Sequence, residues 1–393
     1  MTATAPHATL GGHGETGDRA ARGAPTATPA TPRRLLLATG GTGGHVFPAL
    51  ALAQAATQRG HEVRFLGGRG GMEGPLVRDA GYTFVGVATG KFDRSRPDPR
   101  APFHALAGLA EARRALRAWR PDVVVGFGGF ASFPGCAAAA TMGVPLVLHE
   151  TNAVPGLVTR WFARRAALVI TCQAVTAAAL PRARTRTLPF PVREVRAPRA
   201  DARAALGLPH GALVTLVMGG SQGSLALNRA VPAAYRRLER SRREAREHWV
   251  LHASGSRWSD EVAATTADLP RYEVRGFVDA TLAWSAADLA LTRGGFGTLA
   301  EAAYHGVPLV VVPLPSASDD HQRHNAVALA EDGAGRWVTQ GDDEGLLEAW
   351  SWLLDDARRE QATRAMRARS PAGGAEALID TILPIAAGQR TDA

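Results

Sequence analysis

From Arg33 onward the chain alternates short apolar runs with longer stretches whose apolar residues recur at helical spacing. In the first half the runs predict strands at Leu35–Ala38, Val63–Leu66, Phe84–Val87, Val123–Gly126, Leu146–His149 and Leu168–Thr171. Between the first two, Ala49, Leu50, Leu52, Ala53 and Ala56 share one broad face of a helix predicted from about Val46 to Gln58. The rhythm then breaks in "LPFPVREVRAPRADARAALGLPHG", where Pro189, Pro191 and Pro198 mark a linker. Beyond it the plan restarts, with strands predicted at Leu213–Met218, His248–His252, Tyr272–Arg275, Leu289–Thr292 and Leu309–Val312. Strand–helix alternation in both halves predicts an α/β protein with two Rossmann-like parallel-sheet domains facing a cleft. The expected extents are 33–190 and 191–370, with a last helix at about 371–387 crossing back onto the first domain. Residues 1–32, rich in Ala, Thr, Pro, Gly and His, predict a disordered tail; they lack the apolar core of a secretory signal.

Glycine clusters sit where strands end. "LLLATGGTGGHVFPALALAQAATQRGHEVRFLGG" places Gly40, Gly41, Thr42, Gly43, Gly44 and His45 between a strand and a helix. Without a Cβ the backbone comes close to a ligand, and the free N–H groups of the helix start favour an anion, which points to phosphate or diphosphate. Neither common phosphate motif fits: Val46 stands where G-x-G-x-x-G needs glycine, and no Lys–Ser/Thr pair follows. A plain turn needs neither Thr42 nor His45. The second half repeats the device in "TLVMGGSQGS", and "PDVVVGFGGFASFPG" adds Gly128, Gly129 and Phe130 at a third strand end.

Composition changes the picture little. The 393 residues, 46% of them hydrophobic, suffice for two ordinary domains. The formal net charge is +9, but Lys91 is the only lysine, and the Arg, Ala, Gly and Pro usage reads as a GC-rich genome. The basic residues are dispersed, without a compact aromatic–basic module, so nucleic acid is not an expected partner. Cys136 and Cys172 have no metal or disulfide framework around them, and no apolar run is long enough to span a membrane.

Three further stretches carry chemistry. In "LTRGGFGTLAEAAYHGVPLVVVPLP" a helix is predicted to begin near Thr298, with Glu301 three residues on. That carboxylate either closes a capping box or accepts both hydroxyls of a ribose. "SDDHQRHNAVALAEDGAG" holds Asp319, Asp320, His321 and His324 at no standard metal spacing, whereas Gln322 and Asn325 offer amides suited to sugar hydroxyls. In "HETNAVPG", Asn152 is a sugar ligand or a turn residue.

Taken in order, "GGTGGHVFPALALA", "GFGGF", "HETNAVPG", "GGSQGSLALN", "GFVD", "RGGFGTLAEAAYHGVPLVVVPLP" and "DDHQRHNA" resemble the MurG family of bacterial cell-wall glycosyltransferases, over roughly Arg33 to Gly335. The resemblance implies a GT-B fold, UDP-GlcNAc as donor and lipid I (undecaprenyl-diphospho-MurNAc-pentapeptide) as acceptor. The implied product is lipid II, made for peptidoglycan synthesis at the cytoplasmic face of the cell membrane. It further implies peripheral attachment to the anionic inner surface, other cell-wall synthesis proteins as partners, and no cofactor. Motif by motif, it places Thr42, Gly43, Gly44 and His45 at the two substrates, and Gly44, Gly128, Gly129 and Phe130 at the acceptor diphosphate. It places Asn152, Arg193 and Ser221 on the donor side, with Ser221 near the phosphates, and Phe277 and Val278 at the uracil. Phe296, Gly297, Thr298, Leu299, Ala300 and Glu301 follow around the nucleotide, with Glu301 on the ribose and Gln322 on the GlcNAc hydroxyls. Departures from the family pattern are Phe190 for Asn, Thr151 for Gln, Phe130 for Tyr, and "GGFGT", which introduces Phe296. The alternative is another GT-B enzyme using a UDP-sugar, such as a glycolipid synthase or an epimerase.

An α-linked donor and a β-linked product require inversion, hence a base on the acceptor hydroxyl and stabilisation of the leaving UDP. His45 is the candidate base; its other reading is a residue that holds the loop or binds diphosphate. Fixed N–H donors and Arg193 can meet the leaving diphosphate, so no metal is expected in the chemistry. For the membrane, the region is Thr89 to Trp119, with a helix predicted after Pro102. Phe103, Leu106, Leu109 and Ala110 fall at helical spacing behind Lys91, Arg94, Arg96 and Arg100. Those apolar residues face either lipid or the domain core; Gly108, unfavourable in a core helix, argues for exposure.

Overall fold

The computed structural model describes residues 31–89, 101–220, 222–241, 247–317 and 320–389. Nearly all of the expected tail, the basic run Lys91, Arg94, Arg96 and Arg100, and also Ser221 and Asp319 lie outside the described residues.

Two parallel sheets carry the fold. The first contains β1 (Arg34–Ala38), β2 (Glu62–Gly68), β3 (Thr83–Val87), β4 (Val123–Gly126), β5 (Leu146–Glu150), β6 (Leu168–Thr171) and β7 (Thr185–Thr187), in the order β3-β2-β1-β4-β5-β6-β7. The second contains β8 (Leu213–Met218), β9 (His248–Ala253), β10 (Tyr272–Arg275), β11 (Leu289–Thr292), β12 (Leu309–Val311) and β13 (Gly335–Trp337), in the order β10-β9-β8-β11-β12-β13. Most inner strands read as near-continuous apolar runs because both faces of each sheet are covered. On the first sheet, helix Gly43–Gln58 and helix Gly374–Ala386 pack one face, while helices Ala101–Trp119 and Phe133–Met142 pack the other. On the second, Ala280–Ala286 and Phe296–His305 oppose Leu225–Ser241 and Asp343–Leu354.

In each sheet the strand order reverses beside its first strand. At such a switch point the loops leaving the two neighbouring strands turn to opposite sides and open a crevice at their carboxyl ends. In the first sheet these are the loops after β1 and β4; in the second, the loops after β8 and β11. All four are the glycine stretches of the sequence, so the topology gathers them at two facing crevices.

The chain passes from the first sheet to the second through 188–198 and returns near 370. The returning chain buries Leu378, Ile379, Ile382 and Ile385 against the first core, each worth about 2 kcal/mol. Arg59 pairs with Glu376 and Asp380 to fix that helix from outside. The two passages touch. The Gly373 N–H donates to Glu194 Oε1 at 2.8 Å, and a Cβ on Gly374 would stand 2.6 Å from the Phe190 carbonyl oxygen.

Several expectations are corrected. The first helix begins at Gly43, ahead of Val46, because Thr42 at its N-cap is already extended. The helix expected near Thr298 begins at Phe296 with Gly295 at its N-cap, so Thr298 and Glu301 form no capping box. The helix expected after Pro102 begins at Ala101. Gly108 is buried, not a sign of exposure; a Cβ there would collide with the Ala88 carbonyl, so glycine allows the helix to pack beside the end of β3. The edge strands β7 and β13 were not foreseen.

Candidate functional site

The crevices open into one cleft of about 2820 Å3. On its first wall, Gly40 and Gly41 adopt φ of +148° and +88°, conformations that suit glycine. Glu73, buried beneath them, accepts the Gly68 N–H at 2.8 Å and the Gly41 N–H at 3.3 Å. No sequence signal had singled it out; "GGRGGMEG" shows only another glycine-rich turn. Glu73→Ala orphans both N–H groups and is expected to cost about 2 kcal/mol of stability. A thermal melt checks this.

His45 lies in the first turn of its helix. Its Nδ1 is 3.0 Å from the Thr42 hydroxyl, and its backbone carbonyl accepts from the Thr39 hydroxyl at 2.7 Å. Gly128 and Gly129 have φ of +82° and +70°, and a Cβ on Gly128 would stand 3.3 Å from the His45 ring. The two glycines therefore leave space beside the imidazole. Burial lowers the His45 pKa, while Glu150 and a hydrogen bond to the Gly40 backbone oppose the shift. The ring is neutral at pH 7.

Glu150 ends β5 and is itself buried. It accepts from the Asn152 N–H and Nδ2, both at 3.0 Å, from Gly156 N at 2.9 Å and from the Thr159 hydroxyl at 2.7 Å. Four donors to one carboxylate compensate its desolvation and hold the "HETNAVPG" turn rigid. Asn152 thus braces this turn while also lining the cleft. His149, one residue earlier in the strand, is driven by burial to a pKa of about 3 and packs against Phe127 and Phe190.

On the opposite wall, the loop after β8 turns at Gly220 and Gly223, with φ of +98° and +75°, into helix Leu225–Ser241. Arg193 is exposed in the cleft, at the linker. Phe277 presents 74% of its surface, whereas Val278 is packed beneath it. Phe296, Gly297, Thr298 and Glu301 line the cleft, but Leu299 and Ala300 turn into the cores. Glu301 accepts from the Trp284 indole N–H at 3.1 Å; burial pushes its pKa up to about 7, with Trp284 and Arg193 pulling the other way. Gln322 uses its carbonyl oxygen to accept from Gly294 N at 3.1 Å and Leu314 N at 3.0 Å. The NH2 end is what it has to offer a ligand. Asn325 Nδ2 donates to the Gly294 carbonyl at 3.0 Å, so both amides brace the glycine turn. Phe190 and Phe296, two departures noted in the sequence, meet edge to face at 5.4 Å. Among the described residues no cluster of His, Cys, Asp and Glu could hold a metal ion.

This is the arrangement of a glycosyltransferase of the two-domain GT-B type. The sequence models of the glycosyltransferase family 28 N-terminal and C-terminal domains match residues 35–171 and 214–379, and the chain belongs to that family. It is 49% identical to the UDP-N-acetylglucosamine--N-acetylmuramyl-(pentapeptide) pyrophosphoryl-undecaprenol N-acetylglucosamine transferase of Deinococcus radiodurans, over 78% of this chain and 84% of that one. Identity to the Thermus thermophilus protein of the same name is 41%, over 88% and 98%. The crystal structure of Acinetobacter baumannii MurG superposes with a TM-score of 0.69 at 30% identity, covering 90% of this chain and 99% of that one.

Proposed function

We propose that the chain transfers GlcNAc from UDP-GlcNAc, with inversion, to the 4-OH of MurNAc in lipid I, producing lipid II at the cytoplasmic face of the membrane. The observation that carries this reading is the cleft itself: glycine loops at the switch points of two facing sheets, one beside a neutral histidine, the other beside a helix start and a half-buried carboxylate. We assign residues 33–190, with the last helix, to the acceptor and 191–370 to the UDP-sugar.

The donor's ribose is placed on Glu301, its uracil at Phe277 and Val278, and the GlcNAc hydroxyls on the Gln322 NH2. The diphosphate lies against the loop after Met218, where Ser221 belongs, with Arg193 opposite. The acceptor diphosphate lies at Gly44, Gly128, Gly129 and Phe130. In the tautomer whose Nδ1 carries the proton and donates to the Thr42 hydroxyl, the His45 Nε2 is the nitrogen left to take the proton of the attacking hydroxyl. Backbone N–H groups and Arg193 stabilise the departing UDP without reorganisation. Release of UDP on adding lipid I, and not on adding other lipid-linked or free sugars, tests the assignment. Equal release with an unrelated acceptor would refute it.

Attachment to the membrane is placed on helix Ala101–Trp119. Phe103 and Leu106 expose 73% and 66% of their surface, whereas Leu109 packs against the core. The pair is available to lipid, and Phe103→Ser with Leu106→Ser is expected to weaken sedimentation with anionic vesicles severalfold while leaving the melting temperature unchanged. A lowered melting temperature with unaltered vesicle binding would assign Phe103 and Leu106 to stability and end the proposal that they meet the membrane.

A further inference from the structure

Beneath the loop that follows β8 lies a line of buried polar side chains with no part in the chemistry above. Asn228, one turn into helix Leu225–Ser241, donates Nδ2 to the Ser254 carbonyl at 3.0 Å. Its Oδ1 is 3.0 Å from His252 Nε2, and His252 Nδ1 is 2.8 Å from the Tyr272 hydroxyl. His252 is 0% exposed. The directions follow from the chemistry of the ends. The Ser254 carbonyl only accepts, so Asn228 presents its NH2 there and its oxygen to the histidine. His252 Nε2 must then carry the proton, and Nδ1 must accept from the tyrosine. Every link donates the same way, from Tyr272 toward Ser254, and such chains polarise cooperatively. The arrangement needs a neutral imidazole; burial takes the His252 pKa down to about 3.

Polar groups in an apolar layer cost stability unless every one is satisfied, and apolar residues would fill the same volume at less risk. What they could not do is hold the Ser254 carbonyl. That carbonyl presses on Gly223, where any Cβ would overlap it, and Gly255 presses in turn on the Gln222 carbonyl. The loops after β8 and β9 are interlocked backbone to backbone, and the line from Tyr272 to Asn228 ties the lock to the second sheet.

We infer that His252 is a positioning residue for the donor: through Asn228 and Ser254 it fixes the loop after β8 in the shape that receives the diphosphate of a nucleoside-diphosphate sugar. This rests on the reading that the loop binds that diphosphate.

Isothermal titration of the full-length chain with UDP and with uridine tests it. His252→Leu is expected to weaken UDP about tenfold and leave uridine unchanged, because uridine makes no use of the phosphate loop. His252→Gln, whose amide supplies one donor and one acceptor, is expected to recover most of the UDP affinity. Tyr272→Phe removes only the first link, the one farthest from the loop, keeps the ring packing, and is expected to weaken UDP about threefold; it carries the test if the leucine variant does not fold. UDP affinity equal to wild type in these variants overturns the inference, as does equal weakening of UDP and uridine. A wild-type chain that binds neither UDP nor UDP-GlcNAc overturns the reading of the site, and this inference with it.

Discussion

Glu301→Ala is expected to weaken UDP-GlcNAc binding at least about 100-fold, since the proposed ribose contact, two hydroxyls on one carboxylate, consists of two charge-assisted bonds. Glu301→Gln, which keeps one acceptor, should lose less. The effect depends on pH with a definite sign. Burial raises the Glu301 pKa to about 7, and the ribose calls for the ionised form. Below that pH a proton must leave on binding, so affinity should fall about tenfold per pH unit; above it affinity should be flat. UDP-sugar titrations between pH 5.5 and 8.5 check this, with a flat profile expected for the glutamine variant. The ligand-free protein carries the opposite trend. The unfolded carboxyl titrates near about 4.3, so this group's contribution to stability declines as pH rises from there to about 7. An alanine variant that binds UDP-GlcNAc normally would remove Glu301 from the donor site; its helix begins at Gly295–Phe296, so a capping role is not the explanation left over.

His45→Ala is expected to lower kcat about 100- to 10,000-fold, the usual range for a lost general base, with the donor Kd close to wild type. The separation follows from where the ring sits. It faces Gly128 and Gly129 on the first wall of the cleft, which we assign to the acceptor, and its neutral state is set by burial against the opposing pull of Glu150. Steady-state turnover beside equilibrium donor binding checks the split. A raised donor Kd with unchanged turnover would turn His45 into a diphosphate ligand.

The sheet plan was legible because parallel strands covered on both faces must be apolar throughout, and eleven runs stood out on that ground. β7 and β13 did not. "TRT" has no apolar residue, and "GRW" is a three-residue edge strand packed on one side, so neither carried a period to detect. The glycine loops were legible as loops. Their convergence at the switch points was not, because strand order is a property of the sheet. Asn152 and Gln322 were picked out by residue type, yet each spends part of its hydrogen bonding on its own turn. The residues that hold the site from behind, Glu73, Glu150 and His252, left no mark in the sequence. A buried polar residue in a strand or glycine-rich turn reads like any other until its partners are known. The Phe190–Phe296 contact was likewise two isolated oddities in sequence and one packed pair in space.

The two passages between the sheets have a mechanical consequence. Halves joined by one tether can twist and slide as well as fold together. Here the chain crosses twice, and the crossings are pinned to each other by the Gly373–Glu194 bond and the close approach of Gly374 to Phe190. Adjacent pins resist twisting about the tether and leave bending along one line as the soft motion. Bending along that line would return the same loop tips to the same registration, and the start of the last helix, at Gly373 and Gly374, serves as the second pin.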